Sequence, residues 1–297
     1  MNTADVVVLG GGLIGLAVAA EAATRGASVA LVGETRFGEA SPAGAGMLAP
    51  GAESDELRSD AVHRFAVAGR DLYPTFLGAL QEETGTAVPY DRNGILELVV
   101  EGGEPSLRPE GSEWLDARAL RSMEPALGDF AGAVLHPLDG SVDNLVLVVA
   151  MRRRVESRRS ITLVRASVRS VNVGAARPTV ILEDGDVVEG GSLVIATGAW
   201  AAQLEGLPRP LPVRPVRGQL LMLEGAVAEH VIYGGGGYLV PRRYPEAPHP
   251  FERTVVGATM EEVGFDSRTT PEGLASLTAI VRRISPAFAS ARLVSHW

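Results

Sequence analysis

The sequence predicts an α/β fold of about two domains, one of them built on a parallel sheet. Two observations lead there. Residues 5–34 read as strand, glycine turn, helix, strand. Further on, "NGILELVV" reads as a strand and "ARPTVILEDGDVVEGG" as a hairpin. The length of 297 residues corresponds to about two domains, and the 46% hydrophobic content is enough for two cores.

The first unit is "DVVVLGGGLIGLAVAAEAATRGASVALVGE". Val6, Val7, Val8 and Leu9 form an unbroken apolar run, as in a strand buried on both faces. Gly10, Gly12 and Gly15 follow in G-x-G-x-x-G spacing. Leu13 and Ile14 open an Ala- and Leu-rich helix that ends at Gly26, and "SVALV" supplies the second strand. Gly10 permits the tight turn, Gly12 lets a pyrophosphate approach the backbone, and Gly15 lets helix and strand pack closely. Free N–H groups at the helix start then favour an anion. A lone glycine triplet is weak evidence, but in this context it predicts a Rossmann-like dinucleotide-binding unit. The second strand ends on Gly33, where such units carry an acidic residue for the ribose. Glu34 comes next, and strand alternation points it the other way unless the loop turns it back. The alternative is an ordinary surface charge.

Composition narrows the function. A net charge of −9 argues against a nucleic-acid partner. The absence of cysteine excludes disulfides, thiolate metal sites and iron–sulfur clusters. The five histidines are scattered, so no metal is predicted. No apolar run reaches the roughly 18 residues of a membrane helix, and the N-terminus lacks the basic start of a secretory signal. The expectation is a cytoplasmic protein with no membrane partner and its oligomeric state, including a homo-oligomer, left open.

After the second strand comes "FGEASPAGAGMLAPG", which is small, glycine-rich and without helix or strand pattern. Such a loop lets backbone come close to a large flat ligand. Here the sequence resembles the FAD-dependent amino acid oxidases that include D-amino acid oxidase, sarcosine oxidase and glycine oxidase. The matching residues are Ser41, Ala43, Gly44, Ala45, Gly46, Met47 and Leu48. "GSVDN" resembles the turn before a family helix, although Pro is usual where Asn144 stands. "ASVRSV" looks like the strand that meets the adenine at Val168, and "SLVIATGAW" like the strand running back under the cofactor to Thr197, Gly198 and Trp200. "VRPVRGQLLML" resembles a substrate-domain strand. "GGYLVPRR" and "TVVGATMEEVGFD" look specifically like glycine oxidase of thiamine biosynthesis.

The resemblance implies FAD as cofactor, held by Gly10, Gly12, Leu13, Ile14, Gly15, Gly33, Glu34, Ala40, Ser41, Ala45, Gly46, Met47, Val168, Thr197 and Gly198. It implies a D-amino acid oxidase type of architecture, in which a Rossmann-like FAD-binding domain (1–50 and 140–205) is interwoven with an α+β substrate domain (51–139 and 206–297). The flavin carries the chemistry, so no catalytic side chain is expected; a small amino acid and O2 are the reactants. Tyr238 matches the tyrosine that hydrogen-bonds the substrate carboxylate, and Met260 a residue near the substrate; each has the alternative of being interior packing. Sarcosine or a D-amino acid is the competing substrate.

Elsewhere, apolar residues recur at helical spacing from Glu53 to Thr84: Leu57, Phe65, Leu72, Phe76 and Leu80, read as a core face. "NGILELVV" reads as a strand, "EPSLRPEGSE" as a polar loop, and "ARPTVILEDGDVVEGG" as a hairpin turning at Asp184–Gly185. The closing "ARLVSHW" reads as a buried strand starting at Leu293 and Val294. In the family that strand continues Gly-Leu-Arg-Pro, the Arg being the carboxylate clamp. The expectation is therefore that the family domain extends past Trp297, with the clamp four residues on, and that the chain as it stands is catalytically impaired. Arg217, Arg242 and Arg243 are the alternative clamps.

Overall fold

The computed structural model describes residues 2–54, 59–103, 111–174, 176–245, 247 and 250–297. β1 (Asn2–Leu9), α1 (Leu13–Thr24) and β2 (Val29–Val32) form the predicted first unit. α2 (Ala40–Ala43) and β3 (Met47–Leu48) follow, then the long α3 (Asp60–Thr84). β4 (Tyr90–Asp91), β5 (Ile95–Val99), β6 (Glu113–Asp116), α4 (Ala117–Met123) and β7 (Gly132–His136) lead to β8 (Gly140–Val142) and α5 (Asn144–Glu156). β9 (Ile161–Val164), β10 (Val168–Asn172), β11 (Thr179–Leu182) and β12 (Val187–Ile195) come next. β13 (Leu221–Glu224), β14 (Val231–Gly234), β15 (Gly237–Tyr244), β16 (Phe251–Gly257), α6 (Pro271–Ile284) and β17 (Leu293–His296) complete the chain.

The strands form three sheets. The first runs β10-β11-β12-β1-β2-β9, parallel from β12 to β9 and antiparallel from β10 to β12. β1 lies at its middle, which is why its apolar run is unbroken. Val8 faces the core shared with α1 and α5, while Val7 and Leu9 face the core under β10–β12. The predicted hairpin is β11–β12, with Gly185 at φ +91° in its turn. The second sheet runs β17-β13-β16-β15-β14-β5-β7-β6 and packs one face on α6 through Leu239, Val256, Leu277 and Ile280. The third, β3-β8-β4, joins the segment after α2 to the chain before α5.

Three expectations are corrected. The stretch after β2, read as having neither helix nor strand pattern, carries the short α2 and β3, the latter formed by pairing with β8 far along the chain. Phe65 and Leu72 do not belong to a core face of α3: they are 81% and 66% exposed. The inward stripe is Arg70, Tyr73, Leu77 and Leu80, with Phe76 beside it. The hydrophobic pattern missed it because one member is an arginine, buried by its ion pair with Asp139 at 2.8 Å. Leu57 lies outside the described residues, as does most of the "EPSLRPEGSE" loop. The strand at the C-terminal end is present, but as the edge of its sheet, paired only with β13. Leu293 and Val294 are exposed there rather than buried.

Candidate functional site

The glycine turn between β1 and α1 is shaped by what surrounds it. Gly10 has φ +111°, and a Cβ there would overlap the Ala196 carbonyl. A Cβ on Gly15 would overlap the carbonyl of Gly10. Both positions therefore admit only hydrogen, as helix and strand ends close on each other. Gly11 is different: a Cβ there meets nothing within 4 Å. The outer side of the turn is open, where a pyrophosphate would lie.

α1 has no capping side chain of its own, since Gly12 is its N-cap. The cap comes from the next loop: Ser41 Oγ accepts the Leu13 N–H at 3.0 Å. Ile14, in the same first turn, is 70% exposed. Ala40 is exposed at the start of α2, whereas Ala45 is buried and Gly46 and Met47 half-buried. Across the turn, Thr197 Oγ1 is buried without a hydrogen-bond partner, next to the backbone that Gly10 approaches. A buried hydroxyl without a partner is costly, and beside an open glycine turn it suits a polar ligand group. Open backbone at Gly11, a helix N-terminus and the unpartnered Thr197 hydroxyl together fit a dinucleotide pyrophosphate.

Gly33 and Glu34 line a cleft of about 290 Å³ with Gly11, Leu31, Arg152 and Arg165. Glu34 turns back toward β10, where its carboxylate accepts the Ser167 hydroxyl. Val168, the next residue, begins β10 and is half-buried. Gly198 follows Thr197 with open space on its Cβ side.

On the other side of the 41–47 loop, Tyr238 packs in one apolar cluster with Ala45, Met47, Ala49, Ala52, Met222 and Trp297. Its ring lies over Gly257, so closely that a Cβ there would overlap it. Burial, with the Glu53 carboxylate adding to it, pushes the Tyr238 hydroxyl up to about 12. The structure thus places Tyr238 and Met47 in the same apolar cluster. It does not add Met260, which is 86% exposed on the turn after β16.

The three arginines weighed as carboxylate clamps are all committed. Arg217 bonds Glu261 at 2.6 Å and lies 3.5 Å from Asp266. Arg242 is 7% exposed and bonds the carbonyls of Val142 and Ala45 at 3.0 and 2.6 Å. Arg243 bonds the Ala228 carbonyl at 2.6 Å and faces Asp91, Glu229 and Glu252.

The FAD dependent oxidoreductase family (DAO) matches residues 5–297. The chain belongs to this family. It is 34% identical over 306 residues to the bifunctional protein ThiO/ThiG of Synechocystis sp., covering 100% of this chain but 44% of that protein. It thus spans less than half the length of that relative. It is 29% identical to the glycine oxidase of Geobacillus kaustophilus, covering 99% of this chain and 80% of that one. The crystal structure of glycine oxidase from Geobacillus kaustophilus superposes with a TM-score of 0.87 at 28% identity, covering 100% of this chain and 82% of that one. FAD is the cofactor of the family, and the Rossmann-like α/β fold expected from the sequence is present. Among the described residues no helix is long and apolar enough to cross a membrane.

Sequence reading named Asn144, Arg242 and Trp297 but did not foresee that all three hold the loop. Asn144 Nδ2 donates to the carbonyls of Ser41 and Pro42. Arg242 reaches the same loop, and Trp297 Nε1 donates to the Ala43 carbonyl at 2.9 Å. A polar residue at the first position of α5 and an arginine in a strand's apolar face were the only signals.

Proposed function

We propose that the protein carries out flavin-dependent oxidative deamination of glycine or a comparably small amino acid, in the cytoplasm and as a step of thiamine biosynthesis. The observation that carries this reading is that Tyr238 belongs to the same apolar cluster as Met47 and Ala45 of the loop that caps the dinucleotide helix. It sets a hydrogen-bond donor for a substrate beside the loop proposed to face the flavin. Similarity to glycine oxidases over nearly the whole chain supports it.

The cofactor would be held by the glycine turn at Gly10, Gly12 and Gly15, by the first turn of α1 at Leu13 and Ile14, and by Thr197 and Gly198. Gly33, Glu34 and Val168 would meet its adenosine half, and Ala40, Ser41, Ala45, Gly46 and Met47 its ring. When bound, flavin would supply the redox chemistry, a two-electron oxidation of the amine to an imine with O2 as the final acceptor, giving hydrogen peroxide, and water would convert the imine to oxo acid and ammonia. The protein's part is positioning. Because its hydroxyl stays protonated to about pH 12, Tyr238 remains a donor to a substrate carboxylate through any working pH. Ala45, Ala49, Ala52 and Trp297 belong to the cluster that holds Tyr238, and close packing around the hydroxyl's ring favours a substrate without a large side chain.

The test is peroxide production by FAD-loaded protein with glycine, sarcosine and D-alanine. Glycine should give the highest kcat/KM. Flavin-loaded protein that yields no peroxide with any of the three refutes the reading.

A further inference from the structure

Four carbonyls of the 41–46 loop are each taken by a side chain from outside it. Asn144 Nδ2 holds Ser41 O at 2.9 Å and Pro42 O at 3.1 Å. Trp297 Nε1 holds Ala43 O at 2.9 Å, and Arg242 Nη2 holds Ala45 O at 2.6 Å. The same Arg242 Nη2 donates to Asn144 Oδ1 at 3.1 Å, so the amide links the two ends of the loop. Peptide units are planar and trans, so a carbonyl drawn to one side turns the next N–H to the other. The N–H groups of Ala43 and Gly46 are thereby aimed away from Asn144 and Arg242.

Asn144 is not needed by its own helix. Asp143 caps α5, accepting the N–H groups of Leu145 and Val146 at 3.0 and 3.1 Å. Asp143 also lies 3.5 Å from Arg242 Nη1 and accepts the Tyr244 hydroxyl at 2.6 Å, so the buried cation has a counter-charge. Asn144, 6% exposed, spends its whole side chain on the loop and on Arg242. Arg242 stands four residues from Tyr238 on β15, hence on the same face of the strand. The chain of contacts runs from the cap of α1 through Ser41, Asn144 and Arg242 to the strand of Tyr238.

We infer that Asn144 is a positioning residue, which fixes the 41–46 loop against the Tyr238 strand so that cofactor affinity and substrate fit both depend on one buried amide. The inference rests on the reading that this loop faces the flavin and Tyr238 the substrate. Loop N–H groups held in place before binding lose little further freedom when a ligand arrives.

Asn144→Ala, Asn144→Asp and Asn144→Pro test it. Proline fits the first position of a helix, and Asp143 before it is already extended at φ −70°, ψ 98°, so the last variant removes the amide while keeping α5. FAD dissociation constants are measured by flavin fluorescence well below the melting points of the apoproteins, together with the visible band of bound flavin and KM for glycine. The alanine and proline variants should bind FAD about three- to tenfold more weakly, with a displaced flavin band and a KM raised more than kcat is lowered. The aspartate variant should bind FAD more weakly still, because a carboxylate then faces two carbonyls. Unchanged FAD affinity and an unchanged flavin band in the alanine and aspartate variants overturn the proposal, whatever happens to the melting temperature. If affinity falls as expected while the parent protein gives no peroxide with glycine, the positioning role stands and the substrate reading fails.

Discussion

Ser41 Oγ sits 3.0 Å from the amide nitrogen of Leu13 and accepts its hydrogen bond, 28 residues away in sequence. A helix whose N-cap is glycine thus takes its capping oxygen from the loop that follows the second strand. Cap removal typically costs about 1 kcal/mol. Ser41→Ala should therefore lower the melting temperature of the apoprotein by about 2 °C. It should also weaken FAD binding, since the same helix start would receive the pyrophosphate. A calorimetric scan of the apoprotein and an FAD titration separate the two effects.

Gly10 and Gly12 should respond differently to a side chain. Gly10→Ala forces a Cβ into the Ala196 carbonyl at a backbone angle that disfavours L side chains. That variant should express poorly or melt well below the parent protein. At Gly12 an added Cβ meets only Ser41 Oγ, at 3.0 Å. Gly12→Val should fold, with a modest loss of stability, and purify without bound flavin. Circular dichroism and flavin absorbance of both proteins decide the matter.

Much of this was legible in the sequence because the physics is local. β1 reads as buried on both faces from its own unbroken apolar run, and Gly15 is needed because its neighbour is Gly10, five residues away, whereas Gly10 and Gly12 meet Ala196 and Ser41 and are legible only through their spacing. What was not legible depends on partners far along the chain. Arg70 on α3 is buried only because Asp139 meets it, so the apolar pattern pointed to Phe65 and Leu72 on the wrong face. β17 is exposed because it ends up at a sheet edge, a fact of topology rather than of its own alternation. Asn144 and Arg242 act on a loop about 100 and 200 residues earlier, and no spacing rule reaches that far.

Tyr238→Phe removes one hydroxyl from a site that burial has made unfavourable for its ionised form. Losing a hydrogen bond to a charged group costs roughly 1.5–3 kcal/mol, or about ten- to a hundredfold. KM for glycine should rise by that factor with a smaller change in kcat, and FAD content should stay at one per chain. Since the hydroxyl titrates at about 12, its ionisation should leave no inflection in the parent's pH–rate profile up to pH 10. An unchanged kcat/KM in the variant would make Tyr238 a packing residue alone.

Glu261 sets an acid limit on the turn that carries Met260. Its carboxylate accepts from Arg217, Thr259 and Gln219, each at 2.6 Å. Arg217 first, then the two neutral donors, bring its pKa down from 4.5 to about 2. A carboxyl group that holds its proton less tightly when folded stabilises the fold where it is ionised in both states, and that contribution is lost as protons are added. Here the contribution is fully present above about pH 4.5 and disappears as pH falls toward 2. Melting temperatures measured from pH 7 down to pH 3 should therefore fall more steeply for the parent than for Glu261→Gln, which keeps acceptor and shape but has no charge to lose. The variant should start lower at pH 7, because Arg217, 10% exposed, then keeps only Asp266 at 3.5 Å as its counter-charge. Parallel curves for the two proteins would show that the Arg217–Glu261 contact is screened by solvent and carries none of the acid sensitivity.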